Sequence, residues 1–148
     1  MVIAVKQFER LFREAASLDI DKNDIKRVDD FVNERLHDLL LLATAKAKAN
    51  GHPAIAWIDM PITKGLQENI NEFKKMDEDI ALKDILDSLS KLPILDLPYD
   101  EELEKRIPDV FGGITISLAK VFKQVNPKLK NPATAEWEQV EGIYKILL

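Results

Sequence analysis

An all-α fold is what this sequence predicts, and three features carry the prediction. Residues 21–50 and residues 100–125 each repeat an apolar side chain every third or fourth position, the spacing of one helix face. Shorter segments with the same spacing flank each of these long ones. Short extended links join them, in the same order in both halves of the chain, about 1–76 and 77–148.

The first helix covers residues 5–16, with Val5, Phe8, Leu11, Phe12 and Ala15 turned inward. Leu18-Asp19-Ile20 then alternates apolar and polar, as an extended link does. Residues 21–50 read as one helix, roughly 45 Å long at 1.5 Å per residue. Ile25, Val28, Val32, Leu36, Leu39, Ala43 and Ala47 share a face. Leu39-Leu40-Leu41-Leu42-Ala43 is apolar right round, so neighbours are expected to cover it on several sides. Asp21 is a good N-cap, with Asp24 near the positive end of the helix dipole. Asn50-Gly51 supplies the stop, because Gly takes the left-handed conformation that closes a helix. This helix reads as a spine with shorter pieces folded across it.

Gly51-His52-Pro53 breaks the chain, and residues 54–58 read as a short strand or extended loop. Asp59 is expected to cap the next helix, with Pro61 in its first turn. Ile62, Leu66, Ile70 and Phe73 give that helix its apolar face, and it is expected to end near Met76.

The second half repeats the plan. Leu82, Ile85, Leu86, Leu89 and Leu92 mark a short helix stopped by Pro93, followed by the link Ile94-Leu95-Asp96-Leu97. Asp100 caps the second long helix, whose start is crowded with Glu101, Glu102 and Glu104, as the dipole favours. Asn126-Pro127 ends it, Lys128-Leu129-Lys130 forms the last link, and a final helix from about Thr134 turns Trp137, Val140, Ile143, Tyr144 and Leu147 inward. Within the second long helix, Pro108 predicts a kink or fresh start. Gly112-Gly113 costs roughly 1 kcal/mol per residue relative to Ala, so close packing is expected to require it. The expected site is the crossing of the two long helices, with Leu36 opposite Gly112 and Gly113.

Composition narrows the function. The sequence contains no Cys, which excludes disulfides, thiolate catalysis and Cys-based zinc sites. The longest apolar run is too short to span a membrane, and the opening Met1-Val2-Ile3-Ala4-Val5-Lys6 lacks a signal-peptide core. A cytoplasmic location is the expectation. The net charge is −5, all of it arising in residues 77–148, so bulk charge does not draw the chain to nucleic acid.

Short helix, link, long helix, link, short helix, with the long helices crossing, resembles the histone fold. The tandem arrangement is similar to that of the prokaryotic single-chain histone-fold family of uncharacterised function. The resemblance rests on Phe8-Glu9-Arg10-Leu11-Phe12-Arg13, on Asp21-Lys22-Asn23-Asp24, and on residues 60–68, which begin Met60-Pro61-Ile62-Thr63. It implies two tandem histone-fold halves paired as an intramolecular pseudodimer, a monomer in chain count. Leu18-Asp19-Ile20 would then neighbour Lys128-Leu129-Lys130, and Ile94-Leu95-Asp96 would neighbour Ala54-Ile55-Ala56. DNA-packing histones place a basic residue and a Thr ahead of the third helix, paired with an Asp at its start. Here Asp59 matches the Asp, but His52 and Ala54 stand at the earlier positions.

The implied DNA-phosphate contacts are Lys22, Lys26, Arg27, Lys128 and Lys130, extended by Arg10 and Arg13. Carboxylates at Asp19, Asp21 and Asp24 oppose them, and the other end, near Lys91, Asp96 and Asp100, reads as acidic. Glu34-x-x-His37 resembles half of a carboxylate-bridged metal motif without the second half. No phosphate loop, triad or nucleophile elbow occurs, so no catalytic, cofactor or metal residue is assigned. The leading reading is a non-enzymatic protein-interaction module. The alternative is a weak, non-sequence-specific binder of duplex DNA.

Overall fold

A computed structural model describes residues 5–147, so part of the opening Met1–Lys6 stretch lies outside it. The described residues form six helices and no strand: α1 (Val5–Ala16), α2 (Lys22–Ala49), α3 (Lys64–Ile80), α4 (Lys83–Leu89), α5 (Glu101–Val125) and α6 (Thr134–Leu147). The boundary expected near residues 76 and 77 falls inside α3.

The centre is α5, not the longer α2 expected as the spine. It packs against each of the other five helices. Its residues from Ile107 to Ile116 are all buried, Pro108 included, and the helix runs uninterrupted through that proline. Longer α2 alternates buried and exposed positions along its whole length.

At the start of α2 the caps follow the local chemistry. Asp21 accepts from the backbone N–H groups of Asn23 and Asp24, while the Asp24 carboxylate accepts from Asp21 N–H, a reciprocal capping box. Gly51, at φ +69°, closes the far end.

Both ends of α3, the capping of α5 and the burial of the last residues are corrected. Asp59 does not cap α3; Thr63 does, accepting from Leu66 N–H at 3.1 Å, and Pro61 precedes the helix. The chain first makes a 3-10 turn at Trp57–Asp59. Past Met76, α3 continues to Ile80, ending at left-handed Ala81, because the Asp77 carboxylate takes the N–H groups of Leu82 and Lys83. On α5, Asp100 occupies the N-cap position without a capping bond from its side chain. At the chain's far end, Leu147 is 73% exposed rather than inward.

The glycine crossing is corrected too. A methyl group at Gly112 would overlap the Phe73 ring, and one at Gly113 would come within 2.5 Å of Ile70 Cγ1. Both neighbours belong to α3, so the glycines admit α3 against α5, not α2. Leu36 is fully buried but is not the group they meet.

Candidate functional site

Two backbone contacts tie the links together. Asp19 N–H donates to Lys130 C=O at 2.6 Å, joining the first link to the last. Ile55 N–H donates to Pro98 C=O at 2.8 Å, and Asp100 N–H to Ile55 C=O at 2.9 Å, a parallel bridge between Ile55 and Tyr99. The second contact lies just beyond the Ile94–Asp96 stretch expected to make it.

Of the seven basic residues, the structure assembles some and disperses others. Lys128 and Lys130 flank the buried Leu129 beside Asp19. Arg13 Nε lies 3.7 Å from the Asp19 carboxylate, and Arg10 Nε lies 3.0 Å from Glu14. Arg27 turns away to α6, 3.7 Å from Glu141 and over the Trp137 ring at 5.2 Å. Lys22 and Lys26, one turn apart, line a cleft with Asp29, Asp30 and Lys91. Exposed Lys22, Lys26, Lys128 and Lys130 enter no ion pair among the described residues.

Lys91 corrects the charge map. Placed by sequence at an opposite acidic end, it sits 3.9 Å from Asp29 on α2, and its backbone N–H donates to Asn33 Oδ1. Asp96 is neutralised in turn by Lys48, whose ammonium beside it holds the carboxyl below its usual range.

Two buried carboxylates brace the start of α2. Burial pushes the Asp24 carboxyl up, against the stabilising bonds it accepts from Asp21 N–H and from Trp137 Nε1–H at 3.3 Å. Burial likewise raises Asp29, opposed by Lys91. Among the described residues no three His, Asp or Glu side chains converge as metal ligands. Glu34 instead pairs with Arg35 at 2.7 Å.

The middle of α2 departs from expectation. Leu39 and Leu40 are buried, but Leu41 is 49% and Leu42 is 59% exposed. Leu41 lines a cleft with His37, Thr44, Lys48 and the fully exposed Ile94. The apolar girdle in the sequence marks this surface, but no neighbour among the described residues covers it on that side.

Architecture and surface together define a six-helix protein wrapped on one central helix. The chain belongs to the family described as a domain of unknown function (DUF1931), which it matches over residues 8–145. An uncharacterized protein of Aquifex aeolicus (strain VF5) is 33% identical over 135 residues, covering 85% of this chain and 81% of that one. A crystal structure from Thermus thermophilus superposes with a TM-score of 0.86 at 47% identity, covering 97% of each chain. The crystal structure of protein AQ328 from Aquifex aeolicus has a TM-score of 0.84 at 24% identity, covering 97% of this chain and 94% of that one, and shows the shared fold. No helix among the described residues is long and apolar enough to cross a membrane.

Proposed function

We propose that this chain is a histone-fold pseudodimer working without catalysis as a protein-interaction module. The two link contacts support the paired halves, since each half's first link meets the other half's second link: Asp19 with Lys130, and Ile55 with Tyr99. The observation carrying the function is the exposed apolar surface at Leu41, Leu42 and Ile94. A single exposed leucine is ordinary. Leu41, Ile94 and Leu95 beside one cleft form a patch of the kind that partners cover, and Leu42 is exposed next to it along α2. The partner this suits is a protein presenting an apolar helix face.

The test is capture from a native lysate by immobilised wild-type protein and by the Leu41→Glu, Ile94→Glu double variant, with and without nuclease. Nuclease-resistant capture that the double variant loses supports the reading. Equal capture by both proteins rejects this patch as the interface.

A second reading, weak duplex-DNA binding, rests on a different observation. Lys22, Lys26, Lys128 and Lys130 are exposed and unpaired among the described residues, and the Asp19–Lys130 contact draws two of them to the first link.

A further inference from the structure

A cavity of about 380 Å³ opens between α2, α3, α5 and α6, walled by Leu39, Leu66, Ile114, Val121 and Ile143. That volume lies within the range of small-molecule pockets. At roughly 30 Å³ for each water of the liquid, that is the space of about a dozen waters, enough for a medium-length alkyl chain.

The few polar groups on its wall share one character. Arg35 lines it with a side chain only 6% exposed, and Arg35 Nε has no hydrogen-bond partner among the described residues, although the Asp38 carboxylate lies 3.3 Å away. Ser117 and Tyr144 also line it, their hydroxyls 2.7 Å apart. Such a pair uses one O–H internally and leaves the other free to donate. Burial raises the Tyr144 hydroxyl, which therefore keeps its proton. Asn69, a polar lining group from α3, spends its Oδ1 on Lys120 Nζ at 2.8 Å and keeps its amide hydrogens. With Thr63, whose Oγ1 accepts from Leu66 N–H and whose O–H stays available, all of these groups can donate outward, so a fitting head group is an acceptor. Glu34 and Asp38 against Arg35 leave a local charge of one negative unit, which works against a carboxylate.

We infer that this cavity binds an uncharged amphiphile, an apolar chain of about ten carbons ending in a carbonyl held by Arg35, Asn69 and the Ser117–Tyr144 pair. The site is separate from the apolar patch at Leu41 and from the basic residues, and stands or falls without the interaction reading. No part of the expected constellation points to it: Arg35 has no role in the sequence reading, and Tyr144 reads in sequence as core.

Calorimetric titration of the full chain with decanamide, decanoate and decylamine tests it, chain length being constant and only the head changing. Decanamide is expected to bind at least tenfold tighter than either charged analogue. Val121→Phe, which fills the cavity from a half-buried position, should cut its affinity at least tenfold. Ser117→Ala, which keeps the packing and removes one hydroxyl, should weaken it about fivefold, the equivalent of one ordinary hydrogen bond. Tighter binding of decanoate would overturn the uncharged head. Failure of all three to bind, or affinity unmoved in both variants, would overturn the site.

Discussion

His52 Nδ1 lies 3.0 Å from the Asp59 carboxylate, and this contact pins the turn between α2 and α3. Asp59 is 1% exposed and also accepts from Ala56 N–H at 2.9 Å. The pairing joins a His and an Asp across the turn that leads from α2 into α3. Ala54, earlier in the same turn, has no hydroxyl to contribute.

Burial alone pushes the Asp59 carboxyl up, but the bonds from His52 and Ala56, with the charges of His52 and Lys46, outweigh it and leave its pKa below the ordinary 3.8. A carboxyl lowered on folding stabilises the fold above its unfolded pKa and loses that contribution as pH falls through the lower, folded value. Asp59→Asn should therefore cost about 1–3 kcal/mol at neutral pH, with the deficit shrinking below about pH 4. Urea melts across the carboxylate titration range, about pH 5 down to about pH 2, check it; a deficit that grows across that range would reverse the assigned sign.

Asp24 carries the opposite sign. Its folded pKa is raised above 3.8 by burial, so its contribution is complete below the unfolded value and is lost as pH rises through the folded one. Asp24→Asn removes the buried charge but keeps an acceptor oxygen for only one of Trp137 Nε1–H and Asp21 N–H, which bind different oxygens of the carboxylate, so it costs a pH-independent bond as well. The variant should lose this part of the pH dependence, so that its stability relative to wild type improves between acidic and neutral pH. Parallel pH curves for the two proteins would contradict the burial argument.

At the glycines the outcome depends on which helix they admit. Gly112→Ala gains about 1 kcal/mol of helix propensity, yet the new methyl meets the base of the Phe73 ring rather than a flexible tip. Overpacking at typically about 1–3 kcal/mol should win, lowering the melting temperature. Phe73→Leu should absorb part of the loss in a double-mutant cycle, whereas Leu36→Val should simply add to it. Coupling to Leu36 instead would return the crossing to α2.

How much of this is legible in sequence varies with the range of the interaction. The limits of α1, Asp21 as the N-cap of α2 and the Gly51 stop depend on residues within one or two turns, and the local pattern specifies them. The reciprocal bond that Asp24 accepts from Asp21 N–H comes only with the structure. Thr63 displaces Asp59 as a cap because Asp59 is engaged by His52, a contact across the turn that spacing does not reveal. Periodicity identifies an inward face but not its partner, so it assigns Gly112 and Gly113 to α2 when α3 is the helix they meet. The same limit hides α5 as the centre and leaves Arg35 without a role, since its surroundings come from four separate helices.

Leu41 offers a clean separation of stability from association. It is half exposed, so Leu41→Lys should change stability by no more than about 0.5 kcal/mol, as for other surface positions. A larger loss in a thermal melt would mean that the fold itself covers this side chain.

The DNA reading makes a prediction whose control must respect the corrected charge map. Any binding should be weak and largely independent of sequence, because phosphate contacts position a protein without reading bases. It should fade steeply with salt, as each neutralised phosphate releases condensed counterions. Replacing Lys22, Lys128 and Lys130 together by Gln should remove most of it, since these lysines are exposed and without carboxylate partners among the described residues. Lys91 cannot serve as the distant control, because it shares the cleft of Lys22 and Lys26. Lys64 and Lys105 can: each sits on an exposed helix surface next to its own glutamate, Glu68 at 3.8 Å and Glu101 at 3.3 Å. Anisotropy titrations at low and at physiological salt should show the triple variant losing affinity and the Lys64→Gln, Lys105→Gln double variant keeping it. Equal losses would make the attraction a matter of total charge rather than of these links, and no binding by wild type at low salt would leave protein association as the surviving reading.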